Sequence, residues 1–219
     1  MSPLEKMDDF FAVRVDGYDE HMMSNVEKAA DFYAYTASLL PKTAGSNVLD
    51  LGCGTGLELE EYFGFNPQAK VTGIDLSEAM LNALKAKFPE KDLTLVQASY
   101  FDVPLGENVY DAAVSVESLH HFKDEMKESL YRKLHTALKA GGTFVLTDCF
   151  AESDELEKEY FETLARLKKE QGLSEDEFYH FDTPLTVEHE MDVLRRAGFR
   201  DVRIDKRWSE KTCTVLATV

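Results

Sequence analysis

One nine-residue stretch, Val48 to Gly56 (V-L-D-L-G-C-G-T-G), limits the fold more than any other. Val48, Leu49 and Leu51 supply the apolar side of a buried strand. Gly52, Gly54 and Gly56 supply a turn that a ligand can approach, with main-chain N–H groups and the next helix start nearby. Asp50 sets a carboxylate beside that turn, where a dinucleotide's pyrophosphate would sit; it repels phosphate and suits a cation. The dinucleotide fingerprint asks for G-x-G-x-x-G after a strand, with an acid about 20 residues on. Here Gly56 comes one residue early, and Leu57 stands where the fingerprint wants glycine.

A second apolar run, Lys70 to Leu76 (K-V-T-G-I-D-L), carries Asp75 at its end. An acid there can take both hydroxyls of a ribose. A nucleoside bearing a positive centre satisfies Asp50 and Asp75 together. S-adenosylmethionine, with its sulfonium and ammonium, is such a molecule.

On these two motifs, in this order and at this spacing, the stretch from Val48 to about Cys149 resembles the class I S-adenosylmethionine-dependent methyltransferases of the small-molecule type. The resemblance implies an open, doubly wound α/β fold with a mostly parallel seven-stranded sheet. One antiparallel strand is expected near the C-terminus. S-adenosyl-L-methionine is the expected cofactor, with contacts from Tyr18, Asp50, Gly52, Cys53, Gly54, Gly56, Asp75, Leu76, Met80, Ala98, Ser99 and Val116. Many relatives carry an acid at the place of Ser99 for the adenine amino group; a serine hydroxyl accepts more weakly, and Asp102 stands three residues further on. A dinucleotide-dependent oxidoreductase is the rival class, disfavoured by Leu57 and Asp50.

Composition adds bounds. The chain has 219 residues, 44% of them hydrophobic, and is read as a single methyltransferase domain over 1–219. Acidic residues outnumber basic ones 41 to 24, a net charge of −17, which repels nucleic acid and anionic membrane. Cys53, Cys149 and Cys213 are far apart and show no C-x-x-C spacing, so neither a disulfide framework nor a zinc site is expected. The first residues lack a signal pattern, and no apolar run is long enough to span a membrane. A cytoplasmic protein is expected.

In chain order, residues 1–41 read as an N-terminal helical cap: mixed sequence to residue 25, then a helix from Val26 to Leu40 stopped by Pro41. In the resembled family a Tyr-Asp pair in such a segment closes over the cofactor; Tyr18 and Asp19 are the candidates. A helix is expected over Thr55 to Phe63. Ser77 caps the next, which ends at Phe88, and Leu93 to Val96 is the third strand. Tyr110 to Val116 is the fourth strand, followed by E-S-L-H-H-F at the sheet edge where open α/β sheets put ligands. Glu117, His120 and His121 are therefore the most interesting polar residues. The two histidines are candidates for moving a proton. A metal needs further ligands that no spacing supplies, so none is expected.

Asp124 is expected to cap a helix from Glu125 to Ala140, ended by Gly141-Gly142, before a fifth strand from Thr143 to Asp148. Residues 151–184 read as a helical insertion forming a substrate lid. It holds a charged helix from Glu152 to Gln171 and a short one with a Ser174/Glu177 capping box that carries Phe178, Tyr179 and Phe181. Glu117, His121, Phe178 and Tyr179 are the substrate-pocket candidates. Thr186 caps a last helix closed by Gly198. Asp201 to Trp208 and Thr212 to Val219 form a terminal hairpin.

The function expected is methyl transfer from S-adenosylmethionine to an acceptor that the sequence does not identify, a small metabolite being preferred. The alternatives are a catalytically silent protein that binds S-adenosylmethionine or S-adenosylhomocysteine, and a protein or RNA methyltransferase. Monomer and homodimer both remain open.

Overall fold

The computed structural model describes residues 3–219; Met1 and Ser2, the first residues of the expected cap, lie outside the described residues. Five strands come first, β1 (Asn47–Leu51), β2 (Lys70–Asp75), β3 (Asp92–Gln97), β4 (Tyr110–Val116) and β5 (Leu138–Cys149), with helices between them except from β3 to β4, which a helix-free loop joins. The apolar residues of β1, β2 and β4 and the run Phe144–Leu146 of β5 are buried on both faces, as a sheet covered by crossover helices requires, while β3 keeps Leu93, Leu95 and Val96 half-buried. β6 (Arg200–Arg207) and β7 (Thr212–Thr218) close the chain as a hairpin. The order is β3-β2-β1-β4-β5-β7-β6, and β7 alone runs antiparallel to its neighbours. The order reverses between β1 and β4, a switch point that opens a crevice at the strand ends.

Helices α4 (Leu57–Phe65), α5 (Glu78–Lys87), α6 (Asp124–Ala137) and α8 (Val187–Arg196) cover the sheet. One core packs Leu49, Leu51, Phe144 and Leu146 against Leu130, Leu134 and Leu194. The other packs Val48, Val71, Val114 and Val145 against Phe32, Leu59 and Tyr62. Alternating strand residues serve the two cores, as the two-residue period of a strand dictates. Ser77, Ser153 and Thr186 cap α5, α7 (Asp154–Gln171) and α8 by accepting the N–H groups of Met80, Leu156 and His189.

Several boundaries differ from expectation for local reasons. Within the mixed sequence before residue 26 the described residues hold two helices, α1 (Met7–Ala12) and α2 (Val15–Asn25). The helix expected from Val26 begins at Ala29, as α3 (Ala29–Leu39), because Lys28 takes a left-handed backbone with φ 64°. The helix expected from Thr55 begins at Leu57, because Gly54 and Gly56 are left-handed. Asp124 is the first residue of α6 and not its cap. That helix ends at Ala137, and Gly141-Gly142 lies inside β5, whose pairing with β4 already begins at Leu138. No helix forms at Ser174–Glu177. Instead Met7 N–H donates to the Phe178 carbonyl and His180 N–H to the Glu5 carbonyl, at 3.1 and 3.0 Å. Lys6 and Tyr179 form an isolated antiparallel bridge. The backbone groups that a helix would have satisfied are met by the N-terminal segment.

Candidate active site

At the end of β1 the chain turns through Gly52, Gly54 and Gly56, with φ of 74°, 46° and 72°. A Cβ at Gly52 would lie 2.0 Å from Ser118 Oγ, so glycine is demanded by space as well as by backbone. The turn is pinned to β2. Gly52 and Cys53 N–H donate to the Ile74 carbonyl, and Gly54 N–H donates to Asp75 Oδ2 at 2.9 Å. Asp75 Oδ1 accepts from Ser77 N–H at 2.8 Å. Each carboxylate oxygen keeps a lone pair for a ligand hydroxyl. Burial raises the Asp75 carboxyl above its ordinary range, against the backbone donors of Ser77, Gly54 and Leu76.

Behind the turn lie Asp50 and Glu58, 1% and 4% exposed. Among the described residues neither Asp50 oxygen nor Glu58 Oε1 has a hydrogen-bond partner. Burial, reinforced by the Glu58 charge, lifts the Asp50 carboxyl well above the carboxylate range. Burial lifts Glu58 as well. Two carboxyls buried side by side are costly, and a cation relieves them. The cradle therefore fits a nucleoside with a positive centre and opposes a diphosphate.

α2 is tied to this cradle through Asp19, which accepts from Thr55 Oγ1 at 2.5 Å and from Lys87 Nζ at 2.6 Å. Beside it, Tyr18 lines a cleft with Gly52, Asp75, Leu76, Met80 and Glu117. Burial, then the Glu58 charge, pushes the Tyr18 hydroxyl above its ordinary range. The remaining expected contacts are not among this cleft's lining residues. Cys53 is buried behind the turn, Gly56 precedes α4, and Val116 is buried at the end of β4. Ala98 N–H donates to the Asp75 carbonyl at 3.0 Å. Ser99 Oγ accepts from Phe101 N–H at 3.2 Å, while Asp102 is exposed. Tyr100 and Ser118, unremarked in the sequence, are also walls of the cleft. No local pattern marks them; only the register of β3 and β4 does.

The segment after β4 starts strained, with Glu117 at φ 49°, and passes into one 3₁₀ turn, Leu119–His121. Val116 pairs with Thr147, which sets Asp148 of β5 beside this turn. Asp148 Oδ2 accepts from Leu119 N–H at 2.9 Å, and Oδ1 meets His120 Nδ1 at 2.5 Å. Burial pulls the His120 imidazole down, but the neighbouring Cys149 and Asp148 groups outweigh it, and the imidazole titrates well above its usual range. Burial and the adjacent His120 pull His121 down to about 3. Glu117 Oε1 is buried and unpartnered among the described residues. Burial, then the Asp148 charge, pushes its carboxyl up to about 8.

These groups face a cavity of about 650 Å³, walled by Phe10, Phe11, Arg14, Tyr18, His180 and Asp182 together with Glu117, His120 and His121. Phe10 stacks on His180 with ring centres 3.5 Å apart, and Arg14 lies over Phe10 at 3.7 Å. Phe11, Tyr18, Glu117 and His121 line both this cavity and the cradle's cleft. Of the pocket candidates, Glu117 and His121 are brought to the cavity. Phe178 and Tyr179 are not: they line a narrower cleft with Phe161 and Leu164 that shares only His121, Phe122 and Met7 with the walls described above. Asp148, His180 and Asp182 were missed. Asp148 carried a signal, an acid at the C-terminal end of a central strand. Asp182 carried none, because the loop that delivers it has no regular spacing.

Residues 48–142 match the family model described as a methyltransferase domain. The chain is 24% identical over 94% of its length to a carboxy-S-adenosyl-L-methionine synthase of Campylobacter fetus, spanning 93% of that protein. In structure it is similar to a putative O-methyltransferase of Nostoc punctiforme, with TM-score 0.72, 20% identity and 98% of this chain covered. It is also similar to human N-acetylserotonin methyltransferase in complex with SAM, with TM-score 0.66, 18% identity and 96% of this chain covered. The chain spans 62% and 56% of those two solved chains, less than two thirds of either. Among the described residues no helix is long and apolar enough to cross a membrane. Residues 48–142 are thus similar to a methyltransferase domain, and the strand order and glycine turn around them are those with which S-adenosylmethionine is the expected cofactor.

Proposed function

We propose that this chain moves the methyl group of S-adenosylmethionine to a small-molecule acceptor held in the 650 Å³ cavity. One observation carries the reading: Phe11, Tyr18, Glu117 and His121 are walls shared by that cavity and by the cleft beside the glycine turn. A cofactor seated at Gly52 and Asp75 would present its sulfonium across these shared walls. In this reading Asp75 takes the ribose hydroxyls, and Asp50 with Glu58 faces the positive end of the cofactor.

Transfer from a sulfonium is an in-line displacement: the acceptor–carbon bond forms as the sulfur–carbon bond breaks, leaving a neutral thioether. The leaving group is already activated, so alignment is the protein's main task and is worth roughly 7–11 kcal/mol of the barrier. A hydroxyl acceptor must also lose a proton. Glu117, whose Oε1 is buried and unpartnered among the described residues and whose carboxyl titrates near 8, is matched to take it. Residues 3–41 act as a cap and 151–184 as a lid over one domain: Lys6 reaches Glu177, and Met7 reaches Phe178. The cytoplasm is the compartment this reading expects. The net charge of −17 favours a small acceptor over nucleic acid.

The test is a panel of phenols, catechols, amines, thiols and carboxylates offered with cofactor labelled in its methyl group. Label should enter one class, and Glu117→Gln should lower turnover by about 10²-fold or more. Tight S-adenosylhomocysteine binding with no transfer to any class would replace this reading with that of a silent binder.

A further inference from the structure

The strongest unassigned chemistry lies on one wall of the acceptor cavity. Asp182 Oδ1 is 3.6 Å from His120 Nε2 and 3.4 Å from His121 Nδ1; His121 Nδ1 also lies 3.2 Å from the Phe181 carbonyl, a bond the imidazole gives up when it takes a metal. The two separations from Asp182 are long for hydrogen bonds. They match the edge of a tetrahedron around an ion whose nitrogen and oxygen ligands stand about 2.0–2.2 Å away, an edge of roughly 3.3–3.5 Å. The three residues come from two segments, the turn after β4 and the loop before α8, which Thr183 N–H joins by donating to the His120 carbonyl at 2.9 Å.

His120 is also prepared from behind. Its Nδ1 is engaged by Asp148 at 2.5 Å, which leaves Nε2 toward Asp182. A carboxylate on the far ring nitrogen is the usual means of holding a metal-ligating imidazole in one tautomer and orientation. Asp148 is itself held by Leu119 N–H and Cys149 N–H, both at 2.9 Å. A second observation is independent of the histidines. Glu117 Oε1 lies buried on the same cavity without a partner among the described residues. A cation there supplies one, directly or through a bound hydroxyl.

We propose that His120, His121 and Asp182 form a three-ligand site for a divalent transition-metal ion of the zinc class within the acceptor cavity. Two imidazoles and one carboxylate suit such an ion rather than magnesium or calcium, which prefer all-oxygen sets. Three protein ligands leave a position open. Taken with the acceptor reading above, on which this consequence rests, the open position takes the acceptor's oxygen or sulfur. The ion lowers the acceptor's pKa, the proton passes to Glu117, and the freed lone pair meets the methyl group. Metal binding itself does not depend on that reading.

The experiment uses the full-length chain without a histidine tag, stripped by chelator and titrated with Co²⁺ alone and then Zn²⁺ in competition. One equivalent of Co²⁺ should bind per chain, with the visible bands of a four- or five-coordinate ion, and Zn²⁺ should displace it. Asp182→Asn should weaken uptake at least tenfold while S-adenosylhomocysteine affinity stays within threefold, and His121→Gln should weaken uptake to the same extent. Asp182 has a side chain 61% exposed, so its substitution does not threaten folding. No Co²⁺ uptake by the parent chain, or uptake unchanged in both variants, overturns the site. Metal binding without methyl transfer to any acceptor class would keep the site and remove only the acceptor reading.

Discussion

Asp75 joins two jobs in one side chain. Its two oxygens hold the glycine turn through Gly54 N–H and the start of α5 through Ser77 N–H. The lone pairs left over face the cleft. Replacing it by alanine strips a ligand's hydroxyls of their acceptor and frees two backbone donors. Asp75→Ala should weaken S-adenosylhomocysteine binding by about 1–3 kcal/mol, the cost of leaving such groups unpaired. Calorimetry decides it, and equal affinity would put the ribose elsewhere. Asp75 was readable without coordinates because an acid ending the second strand has one geometric meaning in this topology. Glu58 was not. Nothing in G-L-E-L-E-E-Y says that the first glutamate is buried and the next exposed; that follows from how α4 lies on the sheet.

Among the elements, α6 and α8 are bound by a polar group that the hydrophobic pattern hides. Lys127 and Glu190 are each 1% exposed, with Lys127 Nζ donating to Glu190 Oε2 at 2.5 Å and Tyr131 OH donating to Oε1. Removing one partner of such a buried pair leaves a charge without compensation. Glu190→Ala should cost about 3–5 kcal/mol, read as a lower urea midpoint, while the double change Lys127→Met with Glu190→Leu should recover most of it. If the single variant unfolds at the parent midpoint, the pair is not holding the helices. The strands and most helices were legible from periodicity and caps: β4 was placed at Tyr110–Val116, and Ser77 and Thr186 at their helices. The helix expected at Ser174–Glu177 failed because a capping box is a local preference, and backbone bonds from the N-terminal segment outcompete it.

For the molecule as a whole, the buried acids set a pH dependence. Asp50, Glu58 and Asp75 all titrate above their ordinary values in the folded chain, chiefly through burial. The unfolded chain releases these protons near pH 4. Above that pH the unfolded state binds fewer protons than the folded one, so stability falls as pH rises toward the folded values. The protein without cofactor should therefore melt at lower temperature at pH 8 than at pH 5. S-adenosylhomocysteine should flatten the slope, as should Glu58→Gln. A flat melting profile in the parent would show that these carboxyls are already compensated.

The α/β class and the first two motifs follow from residues close in the chain, because a strand, a glycine turn and an acid at the next strand's end are local patterns with few geometric solutions. The cavity's chemistry obeys another logic. His120, Asp148 and Asp182 come from three separate segments, and no spacing relates them. They meet because β4 and β5 pair with Val116 beside Thr147 and because the loop before α8 folds back over that edge. Long-range register and backbone bonding choose these neighbours, and neither leaves a periodic mark in a chain read one residue at a time.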